Sequence, residues 1–425
     1  MMLTVVFFLF LAFPQWEAMS GVEALLNSTA YPSSVTQVLK LPLVLSEKKS
    51  LIDRRIRGRV DVETSSMRLY DDLVTTGYYS TKVYIGTPLQ EFTLIVDTGS
   101  AVTYVPCSSC QSCGHHQNPR FEPKLSATYQ RVPCTGECER CNPGRTQCAY
   151  DNQYAEKSSS RGVLGRDVIS FDPDIVGNEV VFGCGNEESG AIYDQDADGI
   201  LGLGRGKVGV MDQLVRMGVV DESFSLCYGG IDVGGGAMFL GEFPPPASMV
   251  FSSSDPQRSP YYNVDLKKIL VSGVALEVDP NVFDGNLGTF IDSGTTLAYL
   301  PQQAFLALRD SVRKELGNPN EIPGLDPNIE EVCFAGYDTE ISGLSSSFPQ
   351  LHLVFGNEEK ISLNPENYLY RHYNIQGAYC LGVLPNGNDK TTLLGEIMFR
   401  NTLVKYDLKN SRIGFWKTNC SKLSI

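Results

Sequence analysis

Two tetrapeptides in this chain of 425 residues could do acid–base chemistry together: Asp97-Thr98-Gly99-Ser100 and Asp292-Ser293-Gly294-Thr295. Each follows an apolar run, FTLIV at 92–96 and TFI at 289–291. Strand interiors are poor in Asp, and an unpaired buried charge is costly. Building such a feature twice points to two carboxyls brought face to face. Two carboxyls in one site cannot both ionise freely, so one holds a proton while the other acts as base. That pair can activate water against an amide.

The elements that must position the pair repeat as well. Asp97 is followed 105 residues later by Gly202, within DGILGLG (198–204). Asp292 is followed 103 residues later by Gly395, within TTLLG (391–395). A Tyr-Tyr pair precedes each Asp, at Tyr78-Tyr79 and Tyr261-Tyr262. This is duplication of a large unit, not a short solenoid repeat. Gly, Pro and short β-branched or aromatic runs predict an all-β body. The predicted strands are 79–85, 92–96, 163–171, 180–182, 224–228, 237–240, 262–269 and 403–407. One helix is predicted over 302–316, where Phe305, Leu308, Val312 and Leu316 share a face between Pro301 and Gly317. A shorter one is predicted over 211–217.

These motifs together resemble the pepsin-like aspartic proteases over about residues 77–420, in the cysteine-rich plant-type (nepenthesin-like) branch. The matching stretches are GYYSTKVYIGTPLQEFTLIVDTGS (77–100), DGILGLG (198–204), the second Asp loop, and LLGEIMFRNTLVKYDLKNSRIGF (393–415). The resemblance implies a two-lobed fold with pseudo-twofold symmetry: an N-terminal lobe over 77–245 carrying Asp97, and a C-terminal lobe over 246–425 carrying Asp292. It implies that Asp97 and Asp292 are catalytic. Thr98 and Ser293 would lock the loops across the pseudo-twofold. Gly99, Ser100, Gly294 and Thr295 would donate hydrogen bonds to the carboxyls. Stretch 150–165 reads as a flap hairpin with a polar tip at 158–160, in which Tyr154 matches the family's flap tyrosine. Ala155 stands where a glycine is usual, and Glu156 and Lys157 add charge. Tyr104 stands where many pepsins place a Trp, so a phenol would have to replace that ring's hydrogen bond to the flap. Substrate pockets are expected to prefer apolar side chains.

The ends of the chain carry other signals. Residues 3–13 are apolar and too short to span a bilayer, which predicts a signal peptide over 1–20. No transmembrane segment is predicted beyond it. Residues 21–76 read as a pro-segment. Stretch 40–68 carries a formal +4 in a chain of −14, so the remainder is −18. A basic arm on an acidic body could plug an acidic cleft and release at low pH. The alternative is a solvated basic linker. Neither predicts nucleic-acid binding. Twelve cysteines, an even number, behind a signal peptide predict disulfides. The resemblance implies Cys107–Cys184, Cys227–Cys420 and Cys333–Cys380. The other pairings stay open. Asn27-Ser28-Thr29 and Asn419-Cys420-Ser421 are glycosylation sequons.

Several other chemistries are set aside. Cys107, Cys110 and Cys113 followed by His115 and His116 could suit zinc, but an oxidising route favours disulfides. Stretch 194–199 (DQDADG) begins like a calcium loop, yet Arg205 stands where a bidentate Glu is required. Four histidines and no G-x-S-x-G argue against a serine or cysteine hydrolase. Gly234-Gly235-Gly236 reads as a hairpin turn, not a dinucleotide loop. The expected function is a secreted aspartic endopeptidase, made as a zymogen, working at acid pH as a monomer on peptide or protein substrates, extracellular or vacuolar, with no metal or cofactor. The rival is a catalytically silent pepsin-fold protein that binds or inhibits a partner. Such relatives usually lose an Asp or a flanking residue, whereas both tetrapeptides are complete here.

Overall fold

The computed structural model describes residues 77–423, apart from 136–137, 232–233, 286 and 327–328, together with the backbone of 39–42 and 44–45. The segment read as a signal peptide and the sequon at Asn27 lie outside the described residues, as does the basic arm apart from residues 40–42, 44 and 45.

The body is built from β-sheets, and the two halves repeat one motif. In the first half, strand Tyr79–Ile85 pairs antiparallel with Gln90–Asp97, which ends on the first carboxyl. That strand pairs parallel with Ile200–Gly202, with Gly202 beside Asp97. Ile200–Gly202 meets Tyr104–Pro106 antiparallel, and Tyr104–Pro106 runs parallel to Asn178–Ser189. In the second half, Tyr262–Val264, Thr289–Ile291, Thr392–Leu394, Ala298–Leu300 and Val383–Pro385 follow in the same spatial order. Their pairings have the same senses in turn: antiparallel, parallel, antiparallel, parallel. Apolar side chains point inward from both sets, with Val83, Phe92, Leu94, Leu201, Phe290, Leu393 and Leu394 fully buried. The chain is all-β and two-lobed.

A six-stranded sheet joins the halves. Its order is Leu39–Pro42, Gly236–Leu240, Ser223–Tyr228, Thr402–Asp407, Arg412–Lys417 and Val250–Ser253. Its first strand comes from the stretch read as a pro-segment, as does Val44–Leu45, which pairs with Tyr79–Ile85. Part of that stretch is thus backbone-paired to the body. The glycine run turns between Ser223–Tyr228 and Gly236–Leu240, with all three glycines at positive φ.

The helix Gln302–Leu316 buries Ala304, Phe305, Leu308 and Val312 and stops at Gly317, which takes φ +78°. Each fully buried Leu or Phe contributes about 1.5–3 kcal/mol. The shorter helix is Val210–Arg216. One expected strand, 262–269, is really two. Tyr262–Val264 lies in the Asp292 sheet and Leu266–Val271 in another. The chain changes sheets at Asp265, whose N–H donates to Ser252 Oγ (2.9 Å) and whose carbonyl accepts from Gly356 N–H (2.8 Å).

Candidate active site

The two Asp loops are constructed alike. Asp97 Oδ1 accepts from Gly99 N–H (2.7 Å) and Oδ2 accepts from the Ser100 hydroxyl. Asp292 Oδ1 accepts from Gly294 N–H (2.8 Å) and Oδ2 from the Thr295 hydroxyl (2.8 Å). A crossed pair of bonds ties the loops together. Thr98 N–H donates to Ser293 Oγ, and Ser293 N–H donates to Thr98 Oγ1, both at 2.9 Å. The Ser293 hydroxyl donates on to Val96 O (2.8 Å).

Each loop is also clamped by the glycine of the parallel strand. Gly202 and Gly395 press against the loop backbone so closely that a Cβ would lie 2.7 Å from Ala101 C and 2.2 Å from Leu297 O. No other residue fits there without moving the loop.

Asp97 and Asp292 are both fully buried, and both carboxyls are pushed above their usual range. Burial is the main cause. At Asp97 the charge of Asp292 comes second, and the hydrogen bonds from Ser100 and Gly99 work against the rise. The pair titrates as a unit that holds a proton well beyond the ordinary carboxylate range.

The flap is the hairpin of Ala149–Gln153 and Ser159–Ser170. Its turn lies at 154–158, not at 158–160 as expected. Tyr154 N–H donates to Ser158 O (2.9 Å), and Ser159 is already paired with Gln153. Tyr154 is buried, and its phenol is raised by burial and then by the charge of Asp97. The Tyr104 hydroxyl has no hydrogen-bond partner among the described residues, and the ring stacks on Tyr150 with centroids 5.8 Å apart. The Tyr150 hydroxyl bonds Ser160 (3.0 Å). Tyr104 therefore supports the hairpin through ring packing, not through a hydrogen bond to its tip. Tyr299, seven residues past Asp292, takes the matching strand position in the other half.

Several residues of the site were not singled out from sequence. Glu396 follows Gly395 directly. It is fully buried, accepts from Tyr79 N–H at 3.5 Å, and its Oε2 has no partner among the described residues. Burial holds its pKa well up; the charges of Asp292 and Asp97 add to this, while Tyr79 N–H and Arg400 oppose it. Tyr228 and Tyr406 approach Ser293 and Thr98 from the joining sheet. Tyr261 stacks on Phe290 (4.6 Å) and is raised by burial, then by Asp292 and Asp97. Its place in the second Tyr-Tyr pair was the available signal for it, and the LLGE context was the signal for Glu396.

All twelve cysteines are paired: Cys107–Cys184, Cys110–Cys113, Cys134–Cys141, Cys138–Cys148, Cys227–Cys420 and Cys333–Cys380. The thiols a zinc site would need are thus bonded to one another. His116 turns its Nδ1 to Ala197 O (2.8 Å) and its Nε2 to Glu188 (3.5 Å). Asp198, the last acid of the calcium-like stretch, accepts from Thr93 N–H, Asn118 N–H and Asn118 Nδ2 at 2.6–2.8 Å. Its oxygens are committed to protein donors.

A buried carboxyl pair, held by loops related by a pseudo-twofold between two β lobes with a hairpin flap, defines an aspartic-protease type of site. Comparison with known proteins is consistent with this. Residues 79–242 match the family model described as xylanase inhibitor N-terminal, and 261–417 match the one described as xylanase inhibitor C-terminal. Aspartic proteinase 36 of Arabidopsis thaliana is 31% identical over 374 residues, covering 81% of this chain and 74% of that protein. Aspartic proteinase 39 of the same plant is 30% identical, covering 82% and 75%. Aspartic proteinase nepenthesin-2 of Nepenthes gracilis is 29% identical, covering 81% and 78%. The chain belongs to the plant-type pepsin-like aspartic protease family.

Proposed function

We propose that this protein is an active endopeptidase that hydrolyses peptide bonds at acid pH. The observation that carries this reading is the completeness of the dyad: each carboxyl has its amide and its hydroxyl donor, and both are buried. In the reaction, the ionised member of the Asp97–Asp292 pair takes a proton from a water held between them. That water attacks the scissile carbonyl, and the protonated member donates to the carbonyl oxygen. A proton then passes to the leaving nitrogen. No covalent intermediate forms. The flap excludes water and orders an extended peptide, which supplies main-chain hydrogen bonds to the cleft.

Synthesis through the secretory pathway to an extracellular or vacuolar destination, as a glycosylated zymogen whose basic arm is removed at low pH, completes the reading. Its support is the apolar leader, the disulfides and the charge contrast of the chain. Cleavage of a denatured protein at acid pH, blocked by a statine-type inhibitor and absent in D97N and D292N, is the expected result. Retained cleavage in either variant would overturn the assignment. A second reading, binding without cleavage, draws on the family models' descriptions, which name xylanase inhibitors. Inhibition of a xylanase by a protein that cuts nothing would establish it.

A further inference from the structure

His116 takes no part in the dyad, yet its ring is enclosed between two fixed partners. Its side chain is 4% exposed and that of Glu188 is 0% exposed. Nδ1 lies 2.8 Å from the carbonyl oxygen of Ala197, which can only accept, so Nδ1 carries a hydrogen. Nε2 lies 3.5 Å from Glu188 Oε2, and neither Glu188 oxygen has a hydrogen-bond partner among the described residues. A neutral ring with its hydrogen on Nδ1 would turn the lone pair of Nε2 toward a buried carboxylate. Two acceptors would then face each other with no hydrogen between them. The arrangement is satisfied only when the pair holds one more proton, as imidazolium beside carboxylate or as neutral ring beside carboxylic acid. Without that proton the buried carboxylate is uncompensated, which is costly.

The two partners belong to different parts of the first half. Glu188 stands opposite Ser160 where Ser159–Ser170 pairs with Asn178–Ser189, close to the turn of the flap. At the same place the Ser159 and Ser189 hydroxyls bond each other (2.8 Å). Ala197 lies in the stretch that leads into Ile200–Gly202, whose Gly202 pairs beside Asp97. The loop carrying His116 is fastened to that stretch by Gln117 N–H to Asp196 O (3.0 Å) and Asn118 N–H to Asp198 Oδ1 (2.8 Å). We propose that His116 is a positioning residue: sharing one proton with Glu188, it clamps the turn end of the flap to the strand that backs the Asp97 loop, and the clamp opens when that proton is lost. This rests on the reading of the dyad as a peptide-cleaving site and adds to it a control on the flap that is separate from titration of the dyad.

The sign follows from the groups facing the pair. Burial disfavours a charged ring, but Glu188, the Ala197 carbonyl and the charge of Asp198 outweigh it, so the pKa of His116 is raised. No Lys or Arg is among the main influences on it. Asp198 is itself held by Thr93 and Asn118, and Arg120 donates to the carbonyls of Cys110 and Cys113. On the hairpin side the groups that feel Glu188 are the phenols of Tyr104 and Tyr150, both raised chiefly by burial and therefore neutral here. His115 and Glu187, the sequence neighbours, are exposed. A folded value above the unfolded one of about 6.5 means that the clamp is fully present below about pH 6.5 and is lost as pH rises through the folded value.

The test is hydrogen exchange read by mass spectrometry on the full chain carrying D97N, which removes self-digestion, at pH 5.5 and pH 8 with labelling times corrected for intrinsic exchange. Protection over 149–165 should fall about 10-fold at pH 8, while that of the helix Gln302–Leu316 stays unchanged. In D97N/E188Q the new amide donates to the neutral ring, so protection should be the same at both pH values. In D97N/H116Q it should already be low at pH 5.5. Flap protection that ignores pH in D97N, a fall that the helix shares equally, or a fall that persists with E188Q overturns the proposal. A peptide with a reduced scissile bond is titrated calorimetrically into the same proteins. Its loss of affinity between pH 5.5 and pH 8 should be about 5-fold larger in D97N than in D97N/E188Q, and equal losses overturn the positioning role. The clamp signature in a chain whose unsubstituted form cuts nothing would support this inference while overturning the proteolytic reading. Cleavage by the unsubstituted protein, with flap protection indifferent to pH, would do the reverse.

Discussion

The two halves of the molecule carry the same chemistry on the same strands, yet they are stabilised and lined differently. Asp97 and Asp292 each take one amide and one hydroxyl, and each loop is backed by a glycine of a parallel strand. The first half adds the flap and the disulfides at Cys110–Cys113, Cys134–Cys141 and Cys138–Cys148, which close short loops. The second half has Cys333–Cys380, spanning 47 residues, and a buried acid, Glu396, right after its glycine. The dyad loops are thus alike, but the buried acids of the two halves are not: Glu156 in the flap turn and Glu396 directly after Gly395. Duplication accounts for the paired carboxyls; the flap and the buried acids are particular to each half.

Unbalancing the dyad should have the largest effect. D97N and D292N should each lower kcat/KM by about 10^4-fold or more, and by similar amounts. An Asn variant that keeps substantial activity on one side only would show that the halves are not chemically equivalent. Next come the staples. Cys227–Cys420 closes 193 residues and ties the C-terminal end to the joining sheet, whereas Cys134–Cys141 closes 7. On chain-entropy grounds C227S/C420S should cost about 5 kcal/mol and C134S/C141S about 2 kcal/mol, read by denaturant unfolding. The opposite ranking would mean that the short staples hold the lobe, not just their own insertion.

The crossed bonds come third. T98A and S293A should each lower kcat about 10- to 100-fold by loosening the loops, and together they should lose less than the sum of the singles on a free-energy scale. Full additivity would show that the two hydroxyls do not act as one unit. The smallest effect concerns Glu396. Asp97, Asp292 and Glu396 all have folded pKa values above their unfolded ones. The native state therefore binds more protons, and the stability they contribute is present below about pH 4 and is lost as pH rises through the folded values. The Tm should fall between pH 4 and 7, and E396Q should make that fall shallower by a few degrees. A slope unchanged by E396Q would mean that this carboxyl does not titrate as its burial implies.

Much of this organisation was legible because it is local or repeated. The Asp tetrapeptides, the glycines near 105 residues further on, and the helix over 302–316 each leave a pattern in spacing or periodicity. What was not legible depends on what distant chain segments bring together. Glu156 reads as one more polar loop residue, yet in the fold its oxygens are buried within the flap turn. The sheet change at Asp265 depends on Ser252 and Gly356, which no window around residue 265 contains. The pairing within the cysteine cluster rests on loop geometry that many connectivities could satisfy. Whether the Tyr104 phenol bonds the flap was open from sequence, and the stacking of its ring on Tyr150 depends on a partner 46 residues away.

On the proposed function, Asp97 and Asp292 share one proton and cut peptides with it. The pH profile of kcat/KM for the acid-processed protein on a single peptide tests it most directly. A bell with its maximum at acid pH, governed by two ionisations, and no measurable cleavage at any pH in D97N or D292N is the predicted result. Activity that rises steadily through neutral pH, or a bell that persists in either variant, would contradict it.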